Sequence, residues 1–196
     1  MLKFPILSIS KPLILVENCL NYTIARKEKS NMHLKENLVV LYPIINTDSY
    51  KSVKDLIYSS NIMKVIKGKR KEEKLTLKTV IKLSCYFNMP LNKLINSQLP
   101  CSDIKKISIV LESVYPKTFL KSNLQFFIET NHLVYYQIEK STKISRAVIG
   151  KIIRSTINEK NLTIETVIKL ANFFNVSLDD FVFKDLSKIK CGKLPQ

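Results

Sequence analysis

Arg146, Lys151 and Arg154 are cations in a stretch where Ile149, Ile152 and Ile153 recur at helical intervals. With the isoleucines turned inward, Arg146, Ala147, Gly150 and Lys151 are left on the opposite face. A guanidinium at Arg146 can donate two parallel N–H bonds to a guanine edge. Ala147 and Gly150 are small enough to let a helix backbone approach closely, and Lys151 and Arg154 are long enough to reach a base or a phosphate. Singly, each cation is an ordinary solvated charge. Together, on a helix with an apolar back, they suit the major groove of a duplex.

Other chemistries lack their residues. Three glycines in the whole chain leave no room for a phosphate-cradling loop or a dinucleotide fingerprint. His33 and His132 are isolated, and no nucleophile, base and acid fall at catalytic spacing. Cys19, Cys85, Cys101 and Cys191 form no pair with metal-ligand spacing, so free thiols in a reducing cytosol are expected. The reading is of a non-enzyme that needs no cofactor and no metal. No stretch approaches the length of a membrane span, and the expected location is the cytoplasm, on the nucleoid when bound to DNA.

Charge points the same way. Lysine and arginine outnumber acids 32 to 16 in 196 residues, a formal net charge of +16. The excess is shared, with 17 basic against 7 acidic groups in residues 1–98 and 15 against 9 in residues 99–196. A field of this size draws polyanions, nucleic acid first among them.

The elements that must position these residues are written twice. Residues 75–95 read LTLKTVIKLSCYFNMPLNKLI and residues 162–182 read LTIETVIKLANFFNVSLDDFV, 87 positions apart. In the later segment Val167, Leu170, Ala171 and Phe174 recur at helical spacing after Thr163, and Asn175 ends the helix. Ser177 is a candidate N-cap for a short helix with Asp179 and Asp180 in its first turn. The earlier segment repeats this with Val80, Leu83, Ser84 and Phe87, then Pro90 at a helix boundary. Upstream of the later segment, a stripe of Phe119, Leu120, Leu124, Phe127 and Ile128 predicts one helix. Tyr135 to Thr142, anchored by Ile138, predicts another, and Arg146 to Arg154 a third.

Residues 133–155, LVYYQIEKSTKISRAVIGKIIRS, followed by 162–182, resemble the helix-turn-helix of the phage-repressor (XRE/Cro-type) family. Leu133, Ile138, Ile144, Ser145, Arg146, Ile149, Ile152 and Arg154 follow its pattern in order, as do Leu162, Glu165, Thr166, Lys169, Leu170, Val176, Ser177, Leu178 and Asp179. The resemblance implies a five-helix bundle whose recognition helix starts at Ser145-Arg146 and binds double-stranded DNA. Tyr135 stands where the family usually has a phosphate-contacting glutamine. Glu139 replaces a small residue, with Lys143, at the turn's glycine position, as its candidate partner.

At the same offset, a second recognition helix is expected near Ser59 to Lys67, with Ser59, Ser60, Met63, Lys64 and Lys67 outward. Its leading helix falls at Ser49 to Tyr58, where the offset sets Lys51 opposite Ile138. Glu36 to Asp48 then reads as an insertion, its run Leu38 to Tyr42 either buried helix or short strand. Lys67, Lys69, Arg70 and Lys71 suit phosphate contacts. The expected architecture is all-α: two tandem helix-turn-helix bundles of about five short helices each. The boundaries expected are 1–98 for a divergent first domain, 99–116 for a connecting helix, 117–186 for the second domain and 187–196 for a tail. In the connector, Ile104, Ile107, Leu111 and Val114 form an apolar stripe for packing, self-association or a protein partner. The expected function is sequence-specific DNA binding by a transcriptional regulator of bacterial or phage type. The alternative is a helical adaptor, antitoxin-like or the DNA-targeting subunit of a recombination or replication assembly.

Overall fold

A computed structural model describes residues 32–47, 60–100 and 116–188. Ser59, the expected leading helix at 49–58 and the stripe of Ile104, Ile107, Leu111 and Val114 lie outside these residues. The described chain is all-α. Its helices are α1 (Leu34–Thr47), α2 (Ser60–Ile66), α3 (Leu77–Tyr86), α4 (Leu91–Asn96), α5 (Leu120–Thr130), α6 (Tyr135–Thr142), α7 (Arg146–Ile153), α8 (Ile164–Phe173) and α9 (Leu178–Phe183).

Caps set most of the boundaries. The hydroxyl oxygens of Thr76 and Thr163 accept from the N–H groups of Thr79 (3.3 Å) and Thr166 (3.4 Å), opening α3 and α8. Ser177 does the same for α9 through Asp180 N–H at 3.1 Å. Both α3 and α8 end before an asparagine in the left-handed region, Asn88 (φ 46°) and Asn175 (φ 53°). The faces these helices bury are the repeated apolar letters: Leu77, Val80, Ile81 and Leu83 in α3, and Ile164, Val167, Ile168 and Leu170 in α8. Phe127 of α5 stacks on Phe174 at 4.7 Å between centroids, closing the later core beside Phe181.

The segment 36–48 is not an insertion: through Thr47 it is the body of α1, a helix and not a strand. Leu34, Leu38 and Leu41 are fully buried at intervals of four and three. Asn37, between them, is buried too. Its amide donates to the carbonyls of Leu94 and Ser97 (2.7 Å each) and its oxygen accepts from Leu99 N–H (2.9 Å). Asn123 of α5 makes the matching set, donating to Phe181 (2.9 Å) and Lys184 (2.7 Å) and accepting from Leu186 N–H (2.9 Å). The asparagines lie 86 positions apart and their partners 87, so one residue of register is gained between α1 and α3. Both amides hold the first helix of their half to its last, and neither is left unsatisfied where burial would make that costly.

The described residues lie in one contact unit, Met32–Gln196. Within it α8 packs on α3 and α9 on α4. Pro90 offers α4 no capping side chain, and the carboxylate of Asp179 supplies it, accepting from Leu91 N–H (2.8 Å) and Asn92 N–H (2.9 Å). Lys74 reaches Glu165 at 2.7 Å from the other half.

Candidate nucleic-acid interface

The turn between α6 and α7 is built from its own polar groups. Lys143 takes the left-handed conformation (φ 61°) that a glycine would adopt without strain, and its N–H donates to the Glu139 carbonyl at 2.8 Å. The Thr142 hydroxyl donates to the Ile138 carbonyl (2.7 Å) and accepts from Ile144 N–H (3.1 Å). Ser145 then caps α7, accepting from Val148 N–H at 3.4 Å. Beneath the turn Ile138, Ile144, Ile149 and Ile152 are buried, fixing α7 against α6 by its apolar face.

The outward face carries Ser145, Arg146, Ala147, Lys151 and Arg154, all exposed. Gly150 departs from expectation. It is buried, because the Arg154 guanidinium lies over it, with Nη1 and Nη2 3.2 Å from where a Cβ would sit. Glu139 also departs: its partner is Arg146, not Lys143. The carboxylate takes Arg146 Nε at 2.8 Å and faces its backbone N–H at 3.3 Å. Tyr135 is half-buried against the core, while its neighbours Val134 and Tyr136 stand exposed. Tyr136, an exposed aromatic at the start of α6, was not among the expected contacts. Two consecutive tyrosines at a helix start are its only sequence signal.

In the first half, Ile62 and Val65 of α2 are fully buried, Lys64 is exposed and Met63 half-buried. Ser60 opens the helix. The chain then folds back, with Lys69 and Arg70 N–H both donating to the Lys64 carbonyl (2.7 and 3.0 Å). Lys67, Lys69 and Lys71 project into solvent. Arg70 does not. Its guanidinium braces the turn, donating to Asn61 Oδ1 (2.7 Å) and the Lys74 carbonyl (2.8 Å).

Thus the second half gathers Ser145, Arg146, Ala147, Lys151 and Arg154 on one helix and its C-terminal edge, and the first gathers Lys64, Lys67, Lys69 and Lys71 around the end of α2. Among the described residues no three His, Cys, Asp or Glu side chains converge as a metal site, and no helix is long and apolar enough to cross a membrane. No curated protein and no solved structure matches the chain. Residues 135–181, which hold α6, α7, α8 and the start of α9, match the helix-turn-helix family model.

Proposed function

We propose that the protein binds duplex DNA sequence-specifically and acts as a transcriptional regulator of bacterial or phage type, not as an enzyme. The observation that carries this reading is the two-faced α7 within the family match: Ile149 and Ile152 buried behind, Arg146, Ala147 and Lys151 exposed in front. Such a helix presents a guanidinium and an ammonium to base edges while its apolar side holds it in place. Lys67, Lys69 and Lys71 add sequence-independent phosphate contacts.

The same reading extends to the first half as a second head, with α2 as its recognition helix. It is supported by the recurrence of bonds at one offset. Arg154 N–H to the Gly150 carbonyl repeats Lys67 N–H to Met63, and Thr156 to Lys151 repeats Lys69 to Lys64.

Selection of bound duplexes from a randomised pool at near-physiological salt tests the reading. A defined box should emerge. Arg146→Ala should cost about 1–3 kcal/mol on that box and relax one base position. Salt-sensitive binding without enrichment would reject sequence reading and leave a polycation.

A further inference from the structure

Residues 75–77 and 162–164 run antiparallel to each other. Leu77 N–H donates to the Leu162 carbonyl and Ile164 N–H to the Leu75 carbonyl, both at 2.8 Å, with Thr76 opposite Thr163 between them. Leu75 and Leu162 occupy the same place in the repeated segment, as do Thr76 and Thr163, and Leu77 and Ile164. Exchanging the halves therefore maps this pair of bonds onto itself, which is the signature of a local two-fold axis between the threonines. Leu75, Leu77, Leu162 and Ile164 are all buried, and Thr76 and Thr163 between them are half-buried.

The charges beside the axis break the symmetry in an informative way. Lys74 meets Glu165, and their counterparts are Asn161 and Lys78. Two first halves from separate chains would set Lys74 against Lys78, and two second halves would set Asn161 against Glu165. Asp179 caps α4, whose counterpart α9 begins with Asp179 and Asp180. Pairing two second halves would drive carboxylate onto carboxylate. Only the mixed pairing sets a cation against an anion at the first place and a carboxylate against open N–H groups at the second, and like-charge juxtaposition disfavours the others.

The seam also limits how far apart α2 and α7 stand. Arg70 N–H is bonded to the Lys64 carbonyl, and Thr156 N–H to the Lys151 carbonyl. From Arg70 to Leu75, and from Thr156 to Leu162, the chain spans at most about 20 Å at about 3.5 Å per residue. Adding the hydrogen bonds and the seam, Lys64 and Lys151 lie within about 55 Å of each other. Major-groove faces recur on one side of a duplex every ~34 Å, so one turn is within reach and two turns, ~68 Å, are not.

We propose that the two halves form an intramolecular dimer, in which one chain sets both recognition helices on a duplex and reads two half-sites about one helical turn apart. This rests on the DNA-reading role of α7 and α2 put forward above. The half-sites are inverted in polarity, because the axis relates the heads. They differ in letters, because Ser60 stands where α7 has Ala147, and Lys67 where the second half has Arg154.

The test is selection with the full chain, followed by the mass of the chain–duplex complex from light scattering. Two unlike, inverted boxes about 10–11 base pairs apart are expected, with one chain per duplex. Inserting half a turn between the boxes should lower affinity at least tenfold. Selective binding by two chains per duplex, or boxes that tolerate any spacing, would overturn the intramolecular dimer alone. Absence of any selectivity would overturn the DNA reading itself. A measurement without DNA reads the seam. With the native cysteines replaced, Thr76→Cys combined with Thr163→Cys should form a disulfide within one chain, since an antiparallel pair of this kind has the required separation. Disulfide-linked dimers, or two thiols left free under oxidation, would overturn the proposal.

Discussion

A guanidinium held by a carboxylate must leave it before it can donate to a base edge, and Arg146 is so held by Glu139 at 2.8 Å. The two energies decide the outcome. Both side chains are partly exposed, 64% for Arg146 and 31% for Glu139, and such a pair contributes ~0.2–1 kcal/mol. A bidentate contact to guanine discriminates by ~1–3 kcal/mol, so the base wins. The carboxylate nonetheless opposes binding twice, by competing for the arginine and by facing phosphate. Glu139→Gln should therefore tighten DNA binding about two- to fivefold, read by anisotropy titration at fixed salt. Weaker binding would mean that Glu139 aims Arg146 instead of restraining it. The partner itself was hard to read from spacing. An i,i+4 rule favours Lys143, but α6 stops at Thr142 and Lys143 turns left-handed, so the first residue of α7 comes back over Glu139.

At the scale of the element, α7 carries a glycine in its interior, and interior glycine costs a helix about 0.5–1 kcal/mol relative to alanine. The nearest neighbours of an added Cβ are Arg154 Nη1, Nη2 and Cζ, at the far end of a flexible side chain. Gly150→Ala is thus expected to raise the melting temperature by about 2–4 °C while displacing the Arg154 guanidinium and weakening DNA binding. A lower melting temperature would show that Arg154 cannot move aside. Helices whose apolar letters keep a period and whose ends carry caps were legible: Tyr135 to Thr142 is the helix expected, and Ser177 caps α9 as expected. α1 was not. Leu38-Val39-Val40-Leu41-Tyr42 is continuously apolar, which does not separate helix from strand. A fixed offset of 87 also misaligns α1 with α5 by one residue. At 86, Leu34, Asn37, Leu38 and Leu41 fall on Leu120, Asn123, Leu124 and Phe127, and the buried asparagine would have been the guide.

For the whole molecule, the repeat was visible as letters but its pairing was not, since the threonines that meet, Thr76 and Thr163, also serve as helix caps. The joining charges become apparent only when the halves are set in register. Glu165 is the group that reports on that joint. Hydrogen bonds from Lys169 and then Lys74 hold its carboxyl at about 2, against an ordinary 4.5. A carboxyl whose folded value lies below its unfolded one stabilises the fold fully above the unfolded value and loses that contribution as pH falls towards the folded one. Stability should therefore decline between about pH 5 and pH 2. Asp180, lowered chiefly by its bond from Lys184, adds to the decline, and Glu72, raised chiefly by burial, opposes it. Discounted for solvent screening, Glu165→Gln should cost about 1–2 kcal/mol at pH 7 and flatten the profile below pH 5, measured by urea unfolding across pH. Lys74→Met separates the two cations, because it leaves Lys169 within the same helix and removes only the one from the other half. It should reproduce part of the flattening. A profile unchanged by Lys74→Met would mean that this carboxylate does not join the halves, and that the paired backbone at Thr76 and Thr163 holds them without it.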